Sequence, residues 1–176
     1  MSIEQNRSLV GRYYTESVSA ATGPDQTGAV SVIDELMTDD FVMAYNNDGD
    51  ADAMHGRERH KQFLIEHARN FPEDDWTVEA VVADEAVVAC RWRFQGIHAK
   101  TGNRVDQRAA DFFSVRGGRV AELRRFLDFE SFSKQLERTT LDGEDERGGT
   151  NLQSASGRRT AGRMASRSAR RSVNQR

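Results

Sequence analysis

The 176 residues of this chain suffice for one domain with a hydrophobic core and would be cramped for two. A single cysteine, Cys90, excludes an intrachain disulfide and a cysteine-based metal site, and indicates a reducing, cytoplasmic environment. The net charge of −3 is unevenly distributed along the chain. Residues 1–146 hold all 28 acidic residues, whereas residues 147–176 hold eight arginines and no acid.

The N-terminal part of the chain predicts helices, because its apolar residues are spaced to share one helical face. These helices are expected at residues 4–20, 28–37 and 56–70, with a short strand at 41–45. Four strands follow from the alternation of apolar and polar residues. They are expected at about 76–83, 86–97, 104–115 and 119–127, and a last helix at 129–137.

This order of elements indicates an α+β fold, with helices packed on one face of a curved antiparallel sheet. We expect one folded domain over residues 1–138. Residues 139–176 are rich in Arg, Ser and Gly and contain almost no large apolar residue. Such a segment cannot bury enough surface to offset its ordering entropy, so we expect a disordered tail.

The last two strands are joined at Gly117-Gly118, a pair suited to a two-residue hairpin with positive φ. A regular ladder pairs Val115 with Val120, Phe113 with Glu122 and Asp111 with Arg124, and cross-strand partners share a face. The inward face would then carry Asp111, Glu122, Arg124 and Asp128 among Phe113, Phe126 and two valines.

Each of these charged groups has two interpretations. Asp111 and Arg124 either form part of a ligand pocket or neutralise each other as an ion pair. Asp128 either faces the pocket or caps the last helix. A β-bulge would exchange which of Arg124 and Arg125 points inward.

Several segments resemble, in order and spacing, the SnoaL-like, polyketide-cyclase-type branch of the nuclear transport factor 2-like superfamily. The resemblance covers residues 4–137. The segments are 6–14 (NRSLVGRYY), 36–42 (LMTDDFV), 56–58 with 63–64, 91–92, 96–98 and 111–128. It implies a cone-shaped sheet wrapped around three N-terminal helices, a pocket at one end, and frequent dimerisation through the outer sheet face. Because relatives include isomerases, cyclases, hydrolases and binding modules, the function depends on the site.

The family usually has an acidic residue directly after a Glu-x-Trp on the last strand, whereas Arg125 follows Glu122-Leu123-Arg124 here. This departure argues against aldol cyclisation and favours an anionic ligand. The candidate catalytic residues are Asp111, Asp128 and His98, the last at the sheet rim. The candidate ligand-binding residues are Arg124, Glu122, Tyr14, Tyr45, His60, Phe63, Trp92 and Phe113.

The sequence therefore predicts a protein that binds an apolar, oxygenated small molecule, with cofactor-free acid–base chemistry as one possibility. The alternative is a non-catalytic ligand- or protein-binding module whose basic tail aids association. No metal site and no cofactor are expected, since the histidine spacing matches no zinc motif and no nucleotide motif occurs. We also expect a homodimer and no signal peptide or membrane segment. The basic tail is either an electrostatic arm for nucleic acid or an acidic partner, or a dispensable segment, and its lack of aromatic residues argues against nucleic acid.

Overall fold

The computed structural model describes residues 2–46 and 53–137. These residues fall within one compact unit, Met1–Asp142. The predicted tail at 139–176 lies outside the described residues, as does most of the loop after the first strand. No helix in the described part combines the length and apolar character needed to cross a membrane.

Along the described part of the chain, helices come before the first strand, between the second and third strands, and after the last strand. The α-helices are α1 (Ile3–Arg12), α2 (Gln26–Ser31), α3 (Ile33–Leu36), α4 (Arg57–Asn70) and α5 (Phe129–Glu137). A π-helix (Tyr13–Val18) and a 3-10 helix (Ser19–Thr22) continue α1. The strands are β1 (Met37–Tyr45), β2 (Met54–His55), β3 (Asp74–Ala83), β4 (Val87–Ile97), β5 (Arg104–Arg116) and β6 (Arg119–Leu127).

The strands form one six-stranded sheet in the order β2-β1-β6-β5-β4-β3. The predicted fold class is confirmed, with three differences in detail. Strand β1 begins at Met37, where α3 ends, and β2 was not anticipated because it has only two residues. In addition, β1 pairs with β6 in parallel, whereas every other pairing is antiparallel.

The first helix begins at a reciprocal cap. Ser2 Oγ accepts a hydrogen bond from the Gln5 backbone N–H, and the Gln5 side chain accepts one from the Ser2 backbone N–H. The π-helix that follows places two consecutive tyrosines, Tyr13 and Tyr14, in the core. Single π-helical turns frequently occur at functional sites.

The β5–β6 hairpin turns at Gly117 and Gly118, with φ values of 57° and 80°, as the sequence predicts. The predicted ladder beyond the turn is wrong. After Val115 pairs with Val120, a bulge inserts one residue into β6, so that Ser114 pairs with Glu122 and Asp111 with Arg125. One extra residue exchanges the two faces of the remaining strand, because side chains alternate with a period of two.

Candidate functional site

A cavity of about 310 Å³ lies between α4, the concave face of the sheet and α5. This volume is at the lower end of the range of small-molecule pockets. Most of the wall is aromatic or aliphatic. The polar or ionisable residues that line it are Tyr45, Glu66, His67, Asn70, His98, Gln107 and Arg125.

Arg125 forms the central charged group of this site and is held by a buried carboxylate. Its Nε donates to Asp111 Oδ1 at 2.9 Å, and its Nη2 donates to Asp111 Oδ2 at 2.8 Å. The hydroxyl of Tyr14 donates to the same Oδ2 at 2.5 Å. Asp111 is fully buried and does not line the cavity, so Arg125 separates the carboxylate from any bound molecule.

Two tryptophan rings that also line the cavity lie next to the guanidinium. Its carbon lies 4.8 Å from the centre of the Trp92 ring and 5.9 Å from that of Trp76. Burial acts to lower the pKa of Arg125, but the charge and the hydrogen bonds of Asp111, with smaller effects from Tyr14 and Tyr13, together outweigh it and the pKa is raised. Burial, followed by Asp111, also raises the pKa of Tyr14 well above its usual value. The guanidinium therefore stays charged and the Tyr14 phenol stays neutral.

Three of the predicted charged site residues lie outside the cavity. Because of the bulge, Glu122 and Arg124 fall on the outer face, where they form a half-exposed ion pair at 3.0 Å. Asp128 is exposed, and its Oδ1 accepts a hydrogen bond from the Ser131 backbone N–H at 2.9 Å. It therefore caps α5, which is the second of its two interpretations.

The other predicted residues divide between the cavity and the core. Tyr45, Phe63, Trp92 and the half-buried His98 line the cavity, and His98 Nδ1 is 3.0 Å from Thr101 Oγ1. By contrast, Tyr14, His60 and Phe113 are buried away from it.

His60 is a core residue with an unusual acid–base state. Its Nε2 lies 3.1 Å from the Tyr13 hydroxyl, while its Nδ1 is buried without a hydrogen-bond partner in the described part of the chain. Burial, with a smaller effect from Arg125, lowers the pKa of His60 to about 3. The imidazole is therefore neutral near pH 7 and cannot be charged without loss of stability.

Three of the described residues that line the cavity carry unpaired polar atoms, and two of them, Gln107 and His67, were not among the predicted site residues. Trp92 Nε1, Gln107 Oε1 and His67 Nε2 are buried and have no hydrogen-bond partner among the described residues. The Gln107 amide orientation follows from its other end, because Nε2 donates to the Arg108 carbonyl at 3.0 Å. Gln107 lies in the alternating pattern of β5, which could have indicated its inward direction.

Within residues 2–46 and 53–137, no cluster of three or more His, Cys, Asp or Glu side chains has the arrangement of a metal site. The single thiol is buried. Its burial raises the pKa of Cys90 to about 11, so the thiol stays protonated at neutral pH.

A family model described as the SnoaL-like domain matches residues 13–123, more than half of the chain. The chain belongs to the SnoaL-like family. This match and the curved sheet together confirm the predicted resemblance. No curated protein matches the sequence.

Solved structures show the same fold at low sequence identity. A candidate SnoaL-like polyketide cyclase from Jannaschia sp. CCS1 is 23% identical, covers 77% of this chain and 94% of its own, and has a TM-score of 0.66. TsrD from Streptomyces laurentii is 14% identical over 78% of this chain and 98% of its own, with a TM-score of 0.63. AclR, a candidate hydroxylase from Streptomyces galilaeus, is 18% identical over 77% and 97%, with a TM-score of 0.59. At these identities the likeness establishes the fold alone, and function must come from the site.

Proposed function

We propose that this SnoaL-like protein binds a neutral, largely apolar small molecule that carries a carbonyl and a hydroxyl oxygen. The observation that carries the proposal is the pair of unpaired polar atoms in an apolar wall. Trp92 Nε1 is a donor and Gln107 Oε1 an acceptor, and both are buried without a protein partner in the described part of the chain. Since buried polar groups are normally hydrogen-bonded, a ligand oxygen and a ligand hydroxyl are their natural partners.

The charge distribution favours a neutral ligand over the anionic one suggested by the two arginines in sequence. Arg125 is the only arginine or lysine lining the cavity in the described residues, and two of its nitrogens already bind Asp111. A ligand carboxylate would have to compete with this buried partner. It would also have to lose its own hydration, which costs several kcal/mol for a buried ion.

Asp111 and Asp128 do not support a catalytic pair inside the cavity. Asp111 lies behind Arg125, and Asp128 caps α5 at the surface. The positions of the two aspartates therefore fit ligand binding better than acid–base catalysis by this pair. Asp111 positions Arg125 and does not contact the bound molecule.

The test of binding uses the tryptophans as reporters. Both tryptophans of the chain, Trp76 and Trp92, line the cavity, so its occupation should change the intrinsic fluorescence. We would titrate the purified protein with a panel of bicyclic aromatic ketones and phenols, with naphthalene as the hydrocarbon reference. Native mass spectrometry of the protein as purified would show any molecule carried from the cell.

Gln107→Leu removes the buried acceptor, and Gln95→Leu is its matched control, since Gln95 pairs with Asp106 away from the cavity. Loss of one ligand hydrogen bond should weaken phenol binding about tenfold, the equivalent of about 1.4 kcal/mol. Equal affinities of the two variants would contradict the assigned role of Gln107. Failure of every member of the panel, with no carried ligand, would overturn the proposed binding function.

We also propose that the outer sheet face mediates homodimer formation. Phe112 and Phe126 are 44% and 37% exposed there and pack edge to face at 5.6 Å between ring centres. Exposed aromatic pairs of this kind are enriched at protein interfaces. Sedimentation of Phe126→Lys, compared with the wild type, should show a shift to monomer, and an unchanged sedimentation coefficient would reject this contact.

A further inference from the structure

His67 on α4 lies in an aromatic enclosure at the cavity wall. Ring centres of Phe71, Trp76 and Phe94 lie 5.1, 5.4 and 5.2 Å from the imidazole centre. The ring lines the cavity, yet its Nε2 is buried without a hydrogen bond in the described structure. Stacking alone explains a buried aromatic group but leaves this nitrogen unexplained.

A buried carboxylate faces that nitrogen. Asp74 Oδ2 lies 3.6 Å from His67 Nε2, just beyond hydrogen-bond distance. The Asp74 side chain is 1% exposed and is fixed at both oxygens. Thr22 Oγ1 donates to Oδ1 at 3.1 Å, and Trp76 Nε1 donates to Oδ2 at 3.0 Å.

This geometry assigns the two ring nitrogens different roles. A carboxylate beside Nε2 favours the tautomer that carries its proton there. The lone pair is then on Nδ1, the nitrogen that remains for a molecule in the cavity.

The other ionisable groups of the wall are less suited to proton transfer. Glu66 is exposed at the edge of the cavity, and His98 contacts Thr101. Burial raises the pKa of Tyr45, so its phenol stays neutral, and Arg125 is engaged by Asp111. His67 is thus the group in this wall with both a fixed carboxylate partner and an uncommitted nitrogen.

We propose that His67 is a general base, positioned by Asp74, that removes a proton from the carbon next to a carbonyl of the bound ligand. The inference rests on the proposed binding function and extends it to enolisation of a neutral ketone. It assigns catalysis to a helix and the start of β3, rather than to the aspartates of the hairpin.

The step is a balanced proton transfer. The carbon–hydrogen bond breaks, its proton moves to the imidazole, and its electron pair forms the carbon–carbon double bond of an enolate. The carbonyl π electrons move to oxygen, where the donor Trp92 Nε1 is available on the same wall. Return of a proton from the imidazolium to either end of the enolate regenerates the ketone or its isomer, with no oxidant or cofactor.

The test measures exchange of the α-protons of 2-tetralone in D₂O by NMR, with 2-naphthol as the competitor because it resembles the enol. The wild-type protein should exchange these protons at least 100-fold faster than the same concentration of free imidazole, and 2-naphthol should block the acceleration. His67→Gln should lose about 100-fold or more, whereas His55→Gln on the exposed strand β2 should retain the rate.

Asp74→Asn separates positioning from binding. The amide retains an acceptor oxygen but loses the charge beside Nε2, so kcat should fall at least tenfold while KM changes little. Parallel losses in kcat and tryptophan-detected affinity would instead indicate a collapsed cavity and reject the positioning role.

The outcomes separate this inference from the binding proposal. If 2-tetralone or 2-naphthol changes the fluorescence but exchange is no faster than with free imidazole, the base role is overturned and binding stands. If neither compound binds, enolisation of this ligand class is overturned, and the wider panel decides binding. Should His67→Gln unfold, the wild-type rate relative to imidazole and its inhibition by 2-naphthol still decide the matter.

Discussion

Replacing Arg125 by methionine tests the buried ion pair most directly. The substitution keeps a long apolar side chain but leaves Asp111 as a fully buried carboxylate, with the Tyr14 hydroxyl as its remaining side-chain hydrogen-bond donor among the described residues. Removing one partner of such a pair costs about 3–5 kcal/mol of unfolding free energy. The lost stacking on Trp92 adds about 0.5–2 kcal/mol.

The matched control is Arg124→Met on the adjacent outer position. Its ion pair with Glu122 is about one-third exposed at each side chain, so we expect a loss of at most about 1 kcal/mol. The two variants differ by one position along β6 and make the same chemical change. Urea unfolding followed by circular dichroism would give both values, with unchanged slopes as the check on two-state behaviour.

The double variant Asp111→Asn with Arg125→Met completes the cycle. Because it removes both charges, it should be more stable than the sum of the single effects by about 2–3 kcal/mol. Equal costs for Arg124→Met and Arg125→Met, or a coupling below about 0.5 kcal/mol, would refute the placement of Arg125 as the inward partner of Asp111.

Three further predictions follow from single contacts. Tyr14→Phe should lose about 1.5–3 kcal/mol of unfolding free energy because it removes a hydrogen bond to a charged acceptor, whereas Tyr13→Phe should lose about 0.5–1.5, and equal losses would contradict this assignment. The pKa of His60 is about 3 in the folded protein and 6.5 as its reference value, so the unfolded chain binds the proton first as the pH falls. The free energy of unfolding should therefore fall by about 1.4 kcal/mol per pH unit below 6.5. His60→Leu should lack this slope in urea titrations. Gly96→Ala should destabilise by about 1–3 kcal/mol, because its Cβ would lie 2.8 Å from Phe94 and 3.2 Å from Phe71; Gly11→Ala meets open space and should be neutral or stabilising, and thermal unfolding checks the difference.

The strands that follow a strict alternation could be predicted from the sequence. In β4, Cys90, Trp92, Phe94 and Gly96 lie on the inner face, as their spacing indicates. This works because the side-chain period of a strand is fixed by backbone geometry and one face must be buried. The inward direction of Asp111 on β5 follows from the same rule.

In strand β6 the alternation of side chains alone does not predict which residues point inward, because a bulge interrupts it. The regular ladder places Phe126 inside, whereas the bulge places Leu123 and Leu127 on the inner side and Phe126 outside. One register of β6 buries two leucines and the other buries one phenylalanine, so hydrophobicity alone hardly distinguishes them. The position of the bulge depends instead on pairing with both β1 and β5. The orientation of Arg124 and Arg125 was therefore beyond the local pattern.

The contact between His67 and Asp74 could not be predicted from the sequence for a different reason. The helical spacing places His67 on the same stripe as Phe63 and Phe71, which favours an ordinary core position. Asp74 belongs to β3, which begins two residues before the predicted strand. Its burial arises from Thr22 in the 3-10 helix and from Trp76, and these contacts form only in the tertiary structure.

The two buried carboxylates differ in what they leave available at the cavity. Asp111 accepts two hydrogen bonds from Arg125, so both of its oxygens and two of the arginine nitrogens are already occupied. Asp74 is saturated by Thr22 and Trp76 and still lies beside a ring nitrogen that has no hydrogen bond. A proton transfer needs a group that changes its charge without breaking its anchor, and this requirement is met at His67 rather than at Arg125. Proton exchange should therefore survive a charge-preserving Arg125→Lys substitution far better than His67→Gln, and the reverse order would place the chemistry at the hairpin.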